Sequence, residues 1–177
     1  MLTNIRAADE LFGRNEDAAS MLLGCHQRIR HFTNLALRLA QNASAKPAER
    51  ASAVQSVLRY YTQALPLHEA DENDSLHPRL RRVLPGGALT EANDAMVQQH
   101  TEIDALITKL VPAWRELERN PHHPLPDLLQ QTERLQQLWT SHLQLEEEQV
   151  IPAMQRYLPP DELRSIEAEM RARRQTQ

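Results

Sequence analysis

Two segments of this 177-residue chain carry histidine and glutamate at the same spacing: His68 with Glu72, and His142 with Glu146. The members of each pair are four residues apart, so on a helix they stand on one face, one turn from each other. Pro78 and Pro152 follow at equal offsets, and His26 and His100 precede at equal offsets, so each of these residues lies 74 positions from its counterpart. Imidazole nitrogen with carboxylate oxygen is a donor set for iron, and also for zinc, manganese or nickel. The duplication predicts a site built in two related halves, with His26, His68, Glu72, His100, His142 and Glu146 as its metal ligands.

Loop geometry places these residues at one height. In an antiparallel helix pair, positions equidistant from the turn are level with each other. His26 and His68 have their midpoint at residue 47, His68 and His100 at 84, and His100 and His142 at 121. All three midpoints fall in connectors, at Asn42 to Pro47, Leu84-Pro85-Gly86-Gly87 and Asn120-Pro121-His122-His123-Pro124. Each histidine also continues the apolar stripe of its own helix. The core then holds four imidazoles and two carboxylates in one layer. Uncompensated charge there is destabilising, and a metal removes that penalty. Without metal, Glu72 and Glu146 are expected to crowd each other and hold protons more tightly.

The elements that must position this layer are helices. Gly is scarce, aromatics make up 4% of the chain, and Leu, Ala, Gln, Glu and Arg dominate, all but the glycine being good helix formers. A first helix is predicted from about Asp17 to Asn42, with the stripe Leu22, Cys25, Ile29, Phe32, Ala36, Leu39 at steps of three and four. A second starts at Pro47, which suits a first turn, and carries Val54, Val57, Leu58, Tyr61, Leu65, His68 and Glu72. Pro66 removes one backbone hydrogen bond and should kink this helix one turn before His68. The third, with Thr90 as its expected cap, carries Met96, His100, Ile103, Ile107, Leu110, Trp114 and Leu117. The fourth carries Leu128, Leu135, Leu138, His142, Leu145 and Val150. A short fifth helix follows Pro159-Pro160, with Leu163, Ile166 and Met170 on one side. The expected fold class is all-α: an antiparallel up-down-up-down four-helix bundle with a short C-terminal fifth helix. It forms one domain over 1–177, with a core at about 17–157 and an irregular lead-in over residues 1–16.

The pattern resembles the hemerythrin family, also called the HHE cation-binding family. The marks are Cys25-His26 with Arg28-Ile29-Arg30, His68-x-x-x-Glu72, His100, and His142-x-x-x-Glu146-Glu147 followed by Ile151-Pro152. They extend from about Cys25 to Met154. The resemblance implies two non-haem irons, with Glu72 and Glu146 as bridging carboxylates and the four histidines in terminal positions. The family's oxygen carriers use five histidines and an Asp bridge. Here there are four suitable histidines, and Glu146 stands in place of the Asp. More coordination positions are then left for water, a gas or a side chain such as Tyr61.

The remaining polar residues are expected to be structural. Glu147 and Glu148 are read as supporting or surface charges. Glu69, Asp71 and Asp104 are read as solvated, Asp104 in preference to accepting from an imidazole N–H. His31 faces away from the stripe, His77 aligns with Ile151 and is read as packing, and Tyr61 is read as core. His122 and His123 lie about 30 Å from the layer at about 1.5 Å per helical residue. Cys25 is read as a small core residue pointing away from the site, and Arg171, Arg173 and Arg174 as a solvated helix end.

The formal net charge of −4 argues against a nucleic-acid footprint. No stretch reaches the length of a membrane span. One cysteine, mixed charge at the start of the chain and no signal-peptide pattern suggest a cytoplasmic protein. The expected function is a di-metal protein of hemerythrin-like type that binds, senses or scavenges O2, NO or iron. The alternatives are a di-iron enzyme reducing peroxide or NO, for which no electron-donor motif is visible, and a helical partner-binding module with a structural metal. A homodimer is compatible with the sequence and not required by it.

Overall fold

The computed structural model describes residues 17–42, 46–121 and 123–175. The lead-in over 1–16, connector residues 43–45 and His122 lie outside the described residues. Helix α1 is Ala18–Gln41, with the Asp17 carboxylate accepting from the Ser20 N–H as its cap. Helix α2 runs over 47–83, α3 is Ala88–Arg119, α4 runs over 128–157 and α5 is Pro160–Gln175. Pro47 opens α2 as expected. Among the described residues the chain is wholly helical apart from caps and connectors.

Thr90 is not the cap of α3. The helix begins at Ala88 behind Gly87, whose φ is 68° after 93° at Gly86. Two successive residues with positive φ are a conformation glycine adopts freely. They turn the chain sharply enough for the helix to start before Thr90.

Three wide turns interrupt α2 and α4. They span Tyr60–Ala64, Asp71–Leu76 and Glu146–Val150, and each closes through an N–H that reaches back five residues. Each ends two residues before a proline, at Pro66, Pro78 and Pro152. Proline offers no N–H and its ring crowds the carbonyl four residues back. An extra residue in the preceding turn absorbs both problems, and such bulges recur at functional sites. Pro112 sits inside α3 without a comparable wide turn.

Helix α1 packs on α2 and α4, and α3 packs on the same two, so the four long helices form a closed ring. The expected stripes of α2 and α3 are buried throughout. In α4 the buried line passes through Thr132, Leu135, Trp139, His142 and Leu143, with Leu138 and Leu145 only half-buried beside it. Two apolar clusters result. One holds Ile29, Ala36, Val54, Leu110, Trp114 and Leu135. The other holds Met21, Leu76, Leu80, Met96, Met154 and, from α5, Ile166 and Met170. The polar layer lies between them. No helix among the described residues is long and apolar enough to cross a membrane.

Candidate metal centre

Both carboxylates of the layer stand at the start of a wide turn. The Glu72 carbonyl accepts from the His77 N–H, and the Glu146 carbonyl from the Ile151 N–H. The His-x-x-x-Glu spacing sits in the regular helix just before, and the downstream proline sets where the extra residue is inserted. Sequence repeat and backbone irregularity therefore coincide at the two residues that the halves share.

All six expected ligands are buried, none more than 3% exposed. They fall into two overlapping groups, His26, His68, Glu72 and Glu146, and Glu72, His100, His142 and Glu146. Within each group the donor atoms lie within 4.8 Å of one another. Glu72 and Glu146 belong to both. Glu72 stands 3.2 Å from His68 Nε2 through one oxygen and 3.0 Å from His100 Nε2 through the other. Glu146 stands 3.2 Å from His142 Nε2 and 3.0 Å from His26 Nε2, again through different oxygens. His100 Nε2 and His142 Nε2 face each other at 3.1 Å.

Proximity does not make these atoms hydrogen-bonded. His26 Nε2, His68 Nε2, Glu72 Oε2 and both Glu146 oxygens are buried without a hydrogen-bond partner of acceptable geometry. Buried polar atoms are ordinarily satisfied, so each exception calls for an explanation. Donor atoms that crowd together without bonding fit a site that could hold a cation. The donor set, nitrogen and carboxylate oxygen, suits iron.

The electrostatics of the layer differ from the sequence expectation. Burial pushes the Glu72 carboxyl up, but the His68 charge and the rings of His100 and His26 outweigh it and hold it well below the usual range. Glu146 is likewise lowered: burial and Glu72 push it up, and His142 and His26 prevail. Burial disfavours the imidazolium of His26, yet Glu146 and Glu72 raise it to about 10. His68 is raised to about 9 against its burial, chiefly by Glu72. The neighbouring rings thus favour the ionised carboxylates, and the carboxylates favour the imidazolium forms of His26, His68 and His100. The four rings outnumber the two acids, which the pairwise view of Glu72 against Glu146 overlooked.

The backs of the rings are also held. His26 Nδ1 meets Glu147 Oε1 at 2.9 Å, and Arg30 clasps both Glu147 oxygens. His100 Nδ1 meets Asn73 Oδ1 at 3.0 Å, and His142 Nδ1 meets Gln99 Oε1 at 3.0 Å. Such contacts fix ring orientation and the nitrogen that faces the metal. Asn73 and Gln99 were missed from sequence, although each adjoins a ligand and repeats at Glu147 and Cys25. Asp104 is exposed, as expected, and does not play this part.

Three expectations are corrected. Asp71 is fully buried, bonded by Arg173 at 2.9 Å and Arg174 at 2.6 Å, so neither partner is a solvated terminus. Docking of α5 over the wide turn at 71–76 is the cause. Glu69 is half-buried, and burial with nearby Asp104 raises it to about 7. Cys25 is buried but does not point away from the site. Arg28 donates to its sulfur at 3.0 Å, and His68 is close enough to help lower the thiol to about 7 against its burial.

Other residues stay outside the layer. Tyr61 bonds Thr33 Oγ1 at 2.7 Å and packs on Trp114. His31 is exposed, His123 lies near Glu116, and His77 bonds Asp94 at 3.1 Å, a polar contact in place of pure packing. Glu148 is exposed. Between α1 and α4 a groove of about 240 Å³ is lined by residues including Arg30, Thr33, Gln136 and Trp139. The Trp139 ring stands edge-on to His142 at 5.3 Å, so the groove wall touches the layer.

No curated protein matches the chain. The family model described as the hemerythrin HHE cation-binding domain matches residues 17–154. Most of the chain, and all six side chains of the layer, fall inside that match, and the chain belongs to the hemerythrin HHE cation-binding family.

Proposed function

We propose that this chain holds a pair of non-haem iron ions and that the reduced pair reacts with O2 or NO. His26 and His68 would hold one ion, His100 and His142 the other, and Glu72 and Glu146 would contribute to both. The observation that carries this is the sharing: two four-residue clusters overlap at two carboxylates whose oxygens face different histidines. The bound irons supply redox-active positions open to a diatomic gas.

The protein's own part is positioning and exclusion. Glu147, Asn73 and Gln99 hold three rings from behind. The apolar clusters on either side limit water at the layer, and an enclosed site favours small neutral molecules over larger charged ones. The groove at Trp139 lies between α1 and α4, with Trp139 between it and the His142 ring. The ring of contacts among the four long helices and their short connectors supports an antiparallel up-down-up-down bundle, and α5, packed into the same core, supports one domain over the chain.

The test is metal analysis with spectroscopy. Protein produced with iron should contain close to two ions per chain. Its reduced form should change spectrum on exposure to O2 or NO, and His68→Ala or His142→Ala should abolish the change. Four histidines in place of five favour oxidation over reversible oxygenation. A preparation that stays metal-free despite iron supply would refute the iron site. Silence towards both gases in loaded, reduced protein would leave a structural metal.

A further inference from the structure

The 74-residue repeat pairs the supports of the ligands as well as the ligands, and there the halves differ. Glu147 and Asn73 occupy equivalent positions and do equivalent work, each accepting at the Nδ1 of a histidine on a neighbouring helix. One is a carboxylate, the other a carboxamide. Gln99 and Cys25 are the second equivalent pair: Gln99 accepts from His142 Nδ1 at 3.0 Å, and Cys25 lies beside His68 without a hydrogen bond to its Nδ1. The half containing His26 and His68 therefore has an acid bonded to one ring and a thiol beside the other. The half containing His100 and His142 is backed by two neutral amides.

An acceptor behind a ligating imidazole draws on its N–H and makes the far nitrogen a stronger donor, and a carboxylate does so more than an amide. Arg30 holds Glu147 in place through both oxygens at 2.9 Å. At the repeat-equivalent position the other half has Asp104, exposed to solvent. The exposed Asp104 charge acts on the second half through space, where solvent screens it, and half-buried Glu69 makes no hydrogen bond to a ring of the layer. Glu147 acts through a bond to the ligand ring itself.

We propose that the two metal positions are inequivalent, with the ion between His26 and His68 bound first and most tightly because Glu147 backs His26, and the ion between His100 and His142 held loosely because Asn73 and Gln99 are neutral. The loosely held position is then the one that exchanges metal. The inference rests on the two-ion site proposed above.

Calorimetric titration of metal-free protein with Zn(II) tests it without any turnover. The wild-type chain should take up two ions in two steps about 10–100-fold apart in affinity, the range over which such supporting contacts act. Glu147→Gln should weaken the first step and bring the two together. Asn73→Asp should strengthen the second step. His68→Ala should remove the tight step and His142→Ala the weak one. Circular dichroism of Glu147→Gln and Asn73→Asp confirms that the helices persist. Two ions binding in one indistinguishable step, or a first step unmoved by Glu147→Gln, would overturn the inequivalence while leaving the two-ion site intact. A stoichiometry of one ion per wild-type chain would instead refute the two-ion site, and the inequivalence with it.

Discussion

Tyr61 lies outside the polar layer. Its hydroxyl is engaged by Thr33 at 2.7 Å and its ring lies against Trp114, so it is not turned to the layer. Tyr61→Phe should destabilise the protein by about 1 kcal/mol, the usual worth of one neutral buried hydrogen bond. Metal stoichiometry and the gas-induced spectrum should not change. Loss of either would place the phenol oxygen at the metal. Asn73 makes the opposite point. A half-buried amide of no obvious periodicity holds the ring of His100, which lies 27 positions further along the chain.

At the scale of elements, the C-terminal helix is tied to the segment that carries Glu72. Asp71 precedes that carboxylate and is bonded by Arg173 and Arg174 of α5, while Ser75 and Arg79 bond Glu169. Arg79 also bonds Glu162. Removing one partner of a buried ion pair costs about 3–5 kcal/mol, because the other is left uncompensated. Asp71→Asn in the full chain should therefore lower stability by about that amount. A chain ending at Leu158 should also be less stable, having lost the burial of Ile166 and Met170. In that shortened chain Asp71 has no arginine partners, so Asp71→Asn should have little further effect. Denaturant unfolding of the four proteins gives the coupling directly. Additive effects would show that α5 and Asp71 act independently.

For the whole molecule, stability and metal binding should depend on pH in opposite ways. The raised histidines stabilise the metal-free fold: that contribution is complete below the ordinary imidazole value and fades as pH climbs through about 9 and 10. The lowered carboxyls of Glu72 and Glu146 contribute above the ordinary carboxylate range, and that part fades as pH falls through their depressed values. A metal needs the imidazoles unprotonated, so its affinity rises with pH. Metal bound only to the folded state raises Tm. The gap in Tm between Zn(II)-loaded and metal-free protein should thus widen from pH 6 to pH 9. A gap that is absent at neutral pH would argue against a buried site, and one that narrows with rising pH would show that the histidines are not the proton competitors.

The six side chains of the layer were legible in the sequence because their placement follows from local rules. Helical periodicity sets the face on which His68 and Glu72 stand, and connector position sets the height at which helices bring His26, His68, His100 and His142 together. The stripes of α2 and α3 were legible for the same reason, being strictly periodic. The wide turns were half-visible, since the prolines show where a backbone bond is missing but not how the chain makes up for it. Three things belonged to the tertiary structure alone. Asp71, Arg173 and Arg174 look solvated because charged residues usually are, and only the docking of α5 buries them. Asn73 and Gln99 carry no pattern of their own and gain their role from the ring each meets across a helix interface. The proton balance of the layer is a sum over four imidazoles and two carboxylates at distances of a few ångströms. Coulomb interactions fall with distance through space and take no account of separation along the chain, so that sum exists only once the helices have packed.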